Sequence, residues 1–191
     1  MPAFNLEDQI AFYGAYHHNK TNIVIHTVCV PLILVTTFLL LSGAGPSTTV
    51  MAPVTELLGS VIPDRYVNLG VLLSTAYAAL YIALDPPLGT VLAPLLIWSA
   101  FATTDVVATH GLKAYYVAAG VWVASWILQF YGHGVHEKRA PALLDNLFQA
   151  VFLAPLFVTL EVLFMLGLRP DLERRVESRV RSKLEELKRG A

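Results

Sequence analysis

Cysteine and charge are both scarce in this chain. The single cysteine, Cys29, excludes an internal disulfide, and without further thiols there is no thiolate cluster for a structural zinc. Charged residues make up 14% of the 191, where soluble domains carry about 25%. The formal net charge is −1, so no global basic field exists to hold nucleic acid. Residues 1–15 hold acids but no basic side chain, and so lack the positive start of a secretory signal peptide. Internal repeats and low-complexity tracts are also missing.

What the chain has instead is apolar length. It is 55% hydrophobic, with a mean hydropathy of +0.59. Apolar runs cover residues 22–41, 67–84, 88–103, 112–130 and 143–168. A helix needs about 20 residues to cross a hydrocarbon core, so four or five of these qualify, 88–103 being marginal. Pro31 and Pro155 sit inside runs, where a membrane helix tolerates proline as a kink. Asp85-Pro86-Pro87 is a stop signal between two runs. Residues 42–64 read as a loop with one short helix at 54–59. Residues 4–16 place apolar or aromatic side chains at 6, 10, 12, 13 and 16, beside acids at 7 and 8, which suits an amphipathic surface helix. Residues 171–189 carry Leu or Val at 172, 176, 180, 184 and 187, a second amphipathic stripe. Eight of the thirteen Lys and Arg lie at 169–189, which puts that end in the cytoplasm by the positive-inside rule.

The expected fold is therefore all-α: a polytopic membrane helical bundle with amphipathic N- and C-terminal helices. It is read as one membrane-embedded domain over 1–191. An amphipathic helix covers 1–20, apolar helices 21–168 and a charged helix 169–191.

Five of the six histidines fall in two polar knots. The first is Tyr16-His17-His18-Asn19-Lys20-Thr21-Asn22, followed by His26. The second is Gly132-His133-Gly134-Val135-His136-Glu137-Lys138-Arg139. Ionisable groups at membrane depth are costly, and a functional site is their default reading. As one continuous helix, the first knot would align His18, Asn22 and His26 on one stripe. Asn and Thr favour caps, and Lys20 suits a solvated corner, so a break at 19–21 is preferred, with Thr21 or Asn22 capping a new helix. His17 then ends one helix, His26 lies in the first turn of the next, and the two form a ligand pair with His18 in reserve. In the second knot, His133, His136 and Glu137 share one face if the helix passes Gly134. The knots are expected to meet and hold a metal.

The plainer alternative is that a lone His near a membrane end is an interfacial residue bonded to a carbonyl. His110, before Gly111, is placed in that class. Trp and Tyr side chains are read as interface belt and core. Asp85 and Asp105 are read as helix-end residues, and Glu161 as a partner for a polar group on another helix. Neutral imidazoles suit Zn, Cu, Fe and Ni, and a His/carboxylate set with open positions suits ferrous iron. These donors alone do not separate iron from zinc.

The run from Tyr16 to His26 with Pro31 after it, and the run Gln129-Phe130-Tyr131-Gly132-His133-Gly134-Val135-His136-Glu137-Lys138-Arg139-Ala140-Pro141-Ala142-Leu143-Leu144-Asp145-Asn146, resemble the two motifs of a small membrane-protein family. It contains the fungal endoplasmic-reticulum 2-hydroxy fatty acid dioxygenases of phytosphingosine breakdown, and the resemblance covers nearly the whole chain. It implies Fe(2+)-dependent α-oxidation in a multi-pass endoplasmic-reticulum protein. A 2-hydroxy fatty acid and O2 would give an acid one carbon shorter. The family pattern points to positions 17, 22, 26, 133 and 137. On that basis His17, His26 and His133 are the metal ligands, with His136 as a further candidate. The 2-hydroxyl and carboxylate of the substrate would take open metal positions. Glu137, Asn22 and His18 would orient ligands or carry a proton. Lys20, Lys138 and Arg139 would attract the carboxylate, and the acyl chain would lie among the apolar helices of the bilayer. Three rivals remain: a zinc-dependent membrane lipid hydrolase, a di-iron hydroxylase whose histidine boxes are not found, and a non-enzymatic or b-haem membrane protein with a buried His network. Oligomeric state is left open.

Overall fold

A computed structural model describes residues 5–17, 19–46, 48–58, 61–138 and 147–189, without the side chains of residues 15, 183, 184 and 186–189. Among the described residues there are helices and no strand. The helices are α1 (Leu6–Tyr16), α2 (Lys20–Leu41), α3 (Ala52–Leu58), α4 (Leu69–Leu84), α5 (Pro86–His110), α6 (Leu112–Tyr131), α7 (Ala154–Met165) and α8 (Pro170–Arg189). A 3-10 turn covers Asp64–Tyr66, and π-helical turns cover Gly132–Glu137 and Gln149–Leu153.

Each expected apolar run is a helix, or is helical where described. The run expected over 88–103 extends to His110, because Asp105 lies on an exposed face and pairs with Arg65 without interrupting the helix. Gly111, at φ 57, then closes α5 in the left-handed region that glycine enters most easily. His110 is the last residue of that helix, and Gly111 is its cap. α2 and α5 are each long and apolar enough to cross a membrane. The segments Gln149–Met165 and Pro170–Ser182 are long and apolar enough only together, and a bend of 115° separates them. Pro155 stands in the first turn of α7, immediately after the π turn at Gln149–Leu153, so the helix changes its winding next to the proline.

The chain divides into two compact units, Leu32–Ser125 and the pair of segments Met1–Pro31 and Trp126–Ala191. Composition gave no sign of this division, because its boundaries fall inside apolar helices. In Leu32–Ser125, α4 and α5 form a helical hairpin hinged on the buried Asp85. The Asp85 carboxylate accepts from Leu88 N–H at 3.3 Å and so caps α5. Asn68 caps α4 by accepting from Val71 N–H at 3.0 Å, and its amide donates to Thr104 Oγ1 on α5 at 3.2 Å. On α6, Trp122 Nε1 donates to Thr37 Oγ1 on α2 at 3.1 Å.

In the other unit, α1 buries Gln9, Ile10, Ala11, Tyr13 and Tyr16, so it is a packed wall. Leu172 and Val176 of the C-terminal stripe are also buried, and Val180 meets the backbone of α1 at Gly14. A Cβ on Gly14 would stand 2.8 Å from Val180 Cγ2. Over its described part, 172–180, the apolar face of α8 is thus spent on packing rather than left for a surface. Glu7 on α1 meets Arg175 at 2.7 Å and Arg179 at 3.1 Å, and Asp8 pairs with Arg179.

Candidate metal centre

The first knot does break the helix, but between the end of α1 at Tyr16 and the start of α2 at Lys20 rather than at 19–21. Asn19 makes the cap, its Oδ1 accepting from Thr21 N–H at 2.9 Å, rather than Thr21 or Asn22. The new helix starts at Lys20, two or three residues earlier than expected, so His26 falls in its second turn. His17 is the C-cap of α1. The break turns His17 toward His26, and both rings are buried.

The second knot passes Gly134 in helical form, but as a π turn. A π turn takes more residues per turn than an α turn. It therefore swings the i+3 residue away from the face of residue i. His133 points inward and is buried, whereas the His136 ring packs edge-on against Tyr131 with centroids 5.5 Å apart. A Cβ on Gly132 would stand 2.3 Å from Asn22 Oδ1 and 3.4 Å from Ile25 Cδ1, so glycine sets how closely this turn approaches α2. Lys138 ends the turn in the left-handed region, φ 52, and its N–H donates to His133 O.

Three imidazoles converge. The centroids of His17, His26 and His133 are 4.5, 4.8 and 4.9 Å apart, with interplanar angles of 76°, 74° and 85°. One nitrogen from each lies within 4.8 Å of the others. His17 Nδ1 lies 2.9 Å from Tyr13 O, and His26 Nδ1 lies 3.0 Å from Asn22 O. A carbonyl only accepts, so both Nδ1 atoms carry the proton and both Nε2 atoms present a lone pair. His133 Nδ1 is buried with no hydrogen-bond partner. Burial holds the His133 imidazole below its usual range, and the charge of Glu137 opposes that shift. Neutral, converging, tautomer-fixed imidazoles with a buried unpaired nitrogen fit a bound transition metal, and without thiolate among them they suit iron, zinc or copper.

Glu137 joins the two knots. Its Oε1 accepts from Asn19 N–H at 2.9 Å and from Asn22 Nδ2 at 3.0 Å. Both bonds link positions more than a hundred residues apart in sequence. Lys20 and Lys138 are exposed, and neither lines the pocket beside the histidines. His18 and Arg139 lie outside the described residues.

That pocket is walled by Tyr13, Trp126, Phe130, Ala150 and Ala154, with Gln129 and Gln149 as its amides. Tyr13 stacks on His17 at 3.9 Å and 16°. Burial, with Glu161 and Glu137 adding to it, pushes the Tyr13 phenol above its usual range, so it stays protonated. Sequence reasoning missed Gln129, although it precedes His133 by four residues and so shares its helix face. Gln149 carried no such signal. Beneath α8 a second cleft of about 400 Å³ also reaches His17, between Ile10, Glu161, Val176 and Val180. The expectation that Glu161 pairs across to another helix is answered only by its place in this cleft.

A family model described as 2-hydroxy-palmitic acid dioxygenase Mpo1-like matches residues 3–166. The chain is 36% identical to the 2-hydroxy-palmitic acid dioxygenase MPO1 of Saccharomyces cerevisiae over 173 residues, 91% of this chain and 88% of that protein. No solved structure matches.

Proposed function

The chain belongs to the Mpo1-like 2-hydroxy-palmitic acid dioxygenase family, and from that premise we propose that it is an Fe(II)-dependent dioxygenase. It shortens 2-hydroxy fatty acids by one carbon. The observation that carries the reading is the convergence of His17, His26 and His133 at the end of a largely apolar pocket. The overall conversion is R–CH(OH)–COOH + O2 → R–COOH + CO2 + H2O. The bond between the carboxyl and hydroxyl-bearing carbons breaks. The head group gives up four electrons, which take both oxygen atoms to the level of water and oxides, so no other reductant is consumed.

Ferrous iron held by the three histidines would supply the redox chemistry that couples O2 to a closed-shell acid, and would lower the pKa of a bound hydroxyl. The chain's own residues do the rest. Tyr13 O and Asn22 O hold the Nδ1 protons and so aim the Nε2 lone pairs. Glu137 clamps Asn19 and Asn22 to the π turn, keeping His133 opposite the other two. Trp126, Phe130, Ala150 and Ala154 take the carbons nearest the head group and exclude water. Lys20 and Lys138 would act on the carboxylate at the protein surface, before entry. Two helices able to span a bilayer, α2 and α5, fit a lipid substrate. We place the protein as a multi-pass component of the endoplasmic-reticulum membrane, in sphingoid-base breakdown.

A three-histidine set also serves hydrolytic zinc, so a zinc-dependent lipid hydrolase is the second reading. The test supplies 2-hydroxy, 3-hydroxy and unsubstituted acids of equal length to anaerobically purified protein of measured metal content, with and without O2. The expected result is iron in the protein, oxygen uptake, and shortening of the 2-hydroxy acid alone. Equal turnover of all three acids, or full turnover without oxygen or after iron chelation, would sink the dioxygenase reading.

A further inference from the structure

We infer that Gln129 receives the substrate's carboxylate. Gln129 lies on α6 one turn before His133 and lines the same pocket as all three histidines. It is 9% exposed, and its Nε2 is buried with no hydrogen-bond partner. A buried amide N–H left unpaired is costly, and the position is stable when a ligand brings an acceptor. None of the surrounding groups bonds it: Trp126, Phe130, Ala150 and Ala154 bring apolar or donor side chains, and the Tyr13 hydroxyl and the Gln149 amide oxygen, which line the same pocket, do not pair with Gln129 Nε2. Lys20 and Lys138, the charged groups that the sequence offers for this task, are exposed and do not line the pocket. A carboxylate oxygen is the strongest acceptor on a 2-hydroxy acid, and a bond from a neutral amide to it is charge-assisted. Gln129 thereby fixes which end of the lipid faces the histidines, and it makes an acid a better ligand than an alcohol of the same tail.

This inference rests on the proposed reading, so the experiment separates the two. Gln129→Met keeps the length and removes the amide. Gln129→Glu keeps the shape and sets a carboxylate against the substrate's own. Both full-length variants are purified anaerobically in detergent beside the wild type. Three quantities are measured: metal content, equilibrium binding of labelled 2-hydroxyhexadecanoate without O2 in metal-loaded and metal-free protein, and binding of pentadecan-1-ol, which keeps the hydroxyl and lacks the carboxyl. The expected result is wild-type metal content and wild-type affinity for the alcohol in both variants. The acid should bind about 10–100-fold more weakly to Gln129→Met, the scale of one hydrogen bond to a charged acceptor, and more weakly still to Gln129→Glu. Metal-free protein should show the same ordering. Wild-type affinity of Gln129→Met for the acid, or equal weakening for acid and alcohol, would overturn the assignment. So would loss of metal from both variants, which would make Gln129 part of the metal framework. If the wild type neither binds nor shortens the 2-hydroxy acid, the dioxygenase reading itself falls and takes this inference with it.

Discussion

At His17 and His26, a backbone carbonyl decides which nitrogen is offered to a metal, and both carbonyls belong to the turn four residues earlier in sequence. This makes the ligands unequal to their supports in a measurable way. His17→Ala, His26→Ala and His133→Ala should each lose most of the bound metal while the helices, held by packing, remain. Glu137→Gln keeps an acceptor for Asn19 and Asn22, so it should retain part of the metal and turn over about 10–100-fold more slowly. Metal analysis beside circular dichroism checks the series, and full metal in any histidine variant would exclude that residue as a ligand. The two glycines flanking His133 predict opposite outcomes. Gly132→Ala drives a Cβ into Asn22 Oδ1 and should cost about 1–3 kcal/mol and displace the site. Nothing lies within 4 Å of a Cβ on Gly134, so Gly134→Ala should leave metal content and melting temperature unchanged or slightly raised. The sequence made the two knots legible through residue type alone. It could not tell Gly132 from Gly134, because the difference lies in what stands opposite each. Nor could spacing reveal that His136 leaves the face of His133, since a π turn has no local signature in these residues.

Helices were the easiest features to read, because runs of apolar residues ended by Asp-Pro-Pro or by Gly leave few alternatives. α8 is the instructive exception. Its Leu and Val stripe was visible, but an amphipathic stripe does not say what covers it, and here α1 does. Two forces hold the pair, and they differ in size. Burying Leu172 and Val176 is worth about 1.5–3 kcal/mol each, whereas partly exposed ion pairs contribute about 0–1 kcal/mol. Leu172→Ser with Val176→Ser should therefore free α8 to proteolysis, and Arg175→Ala should only loosen it. The ion pairs still set a pH dependence. The hydrogen bond from Arg175 holds the Glu7 carboxyl below its ordinary value of 4.5, with burial opposing and the charges of Arg175 and Arg179 adding. A carboxyl with a lowered folded pKa stabilises fully above 4.5 and loses that contribution as pH falls through its folded pKa. Hydrogen exchange in α8 should thus be constant from pH 7 to 5 and quicken, after correction for intrinsic rates, below about 4.5. Added salt should act in the same direction. Unchanged protection at pH 3.5 would assign the docking to apolar contact alone.

For the molecule as a whole, scarcity of charge pointed to a membrane, and two described helices have the length and composition to cross one. α2 exposes Val24, Val28, Leu32 and Val35, and α5 exposes Val91, Leu95 and Trp98, rows that water would not favour. The protein should resist carbonate and require detergent for extraction; release by carbonate alone would contradict spanning helices. The division into two units was not legible, because the chain passes between them inside continuous apolar helices.

The unit that carries the histidines is also discontinuous in sequence: residues 32–125 are made between its two halves. A ribosome adds about 5–20 residues per second, so His17 and His26 wait roughly 5–20 s for His133 to exist. No nascent chain shorter than the π turn can hold the metal by all three rings, and the Glu137 clamp on Asn19 and Asn22 closes later still. With the proposed ligand set, a metal could therefore be held by all three rings only after residue 133 has been made. A chain stalled or cut before residue 133 should leave the translation machinery metal-free, however much iron surrounds it.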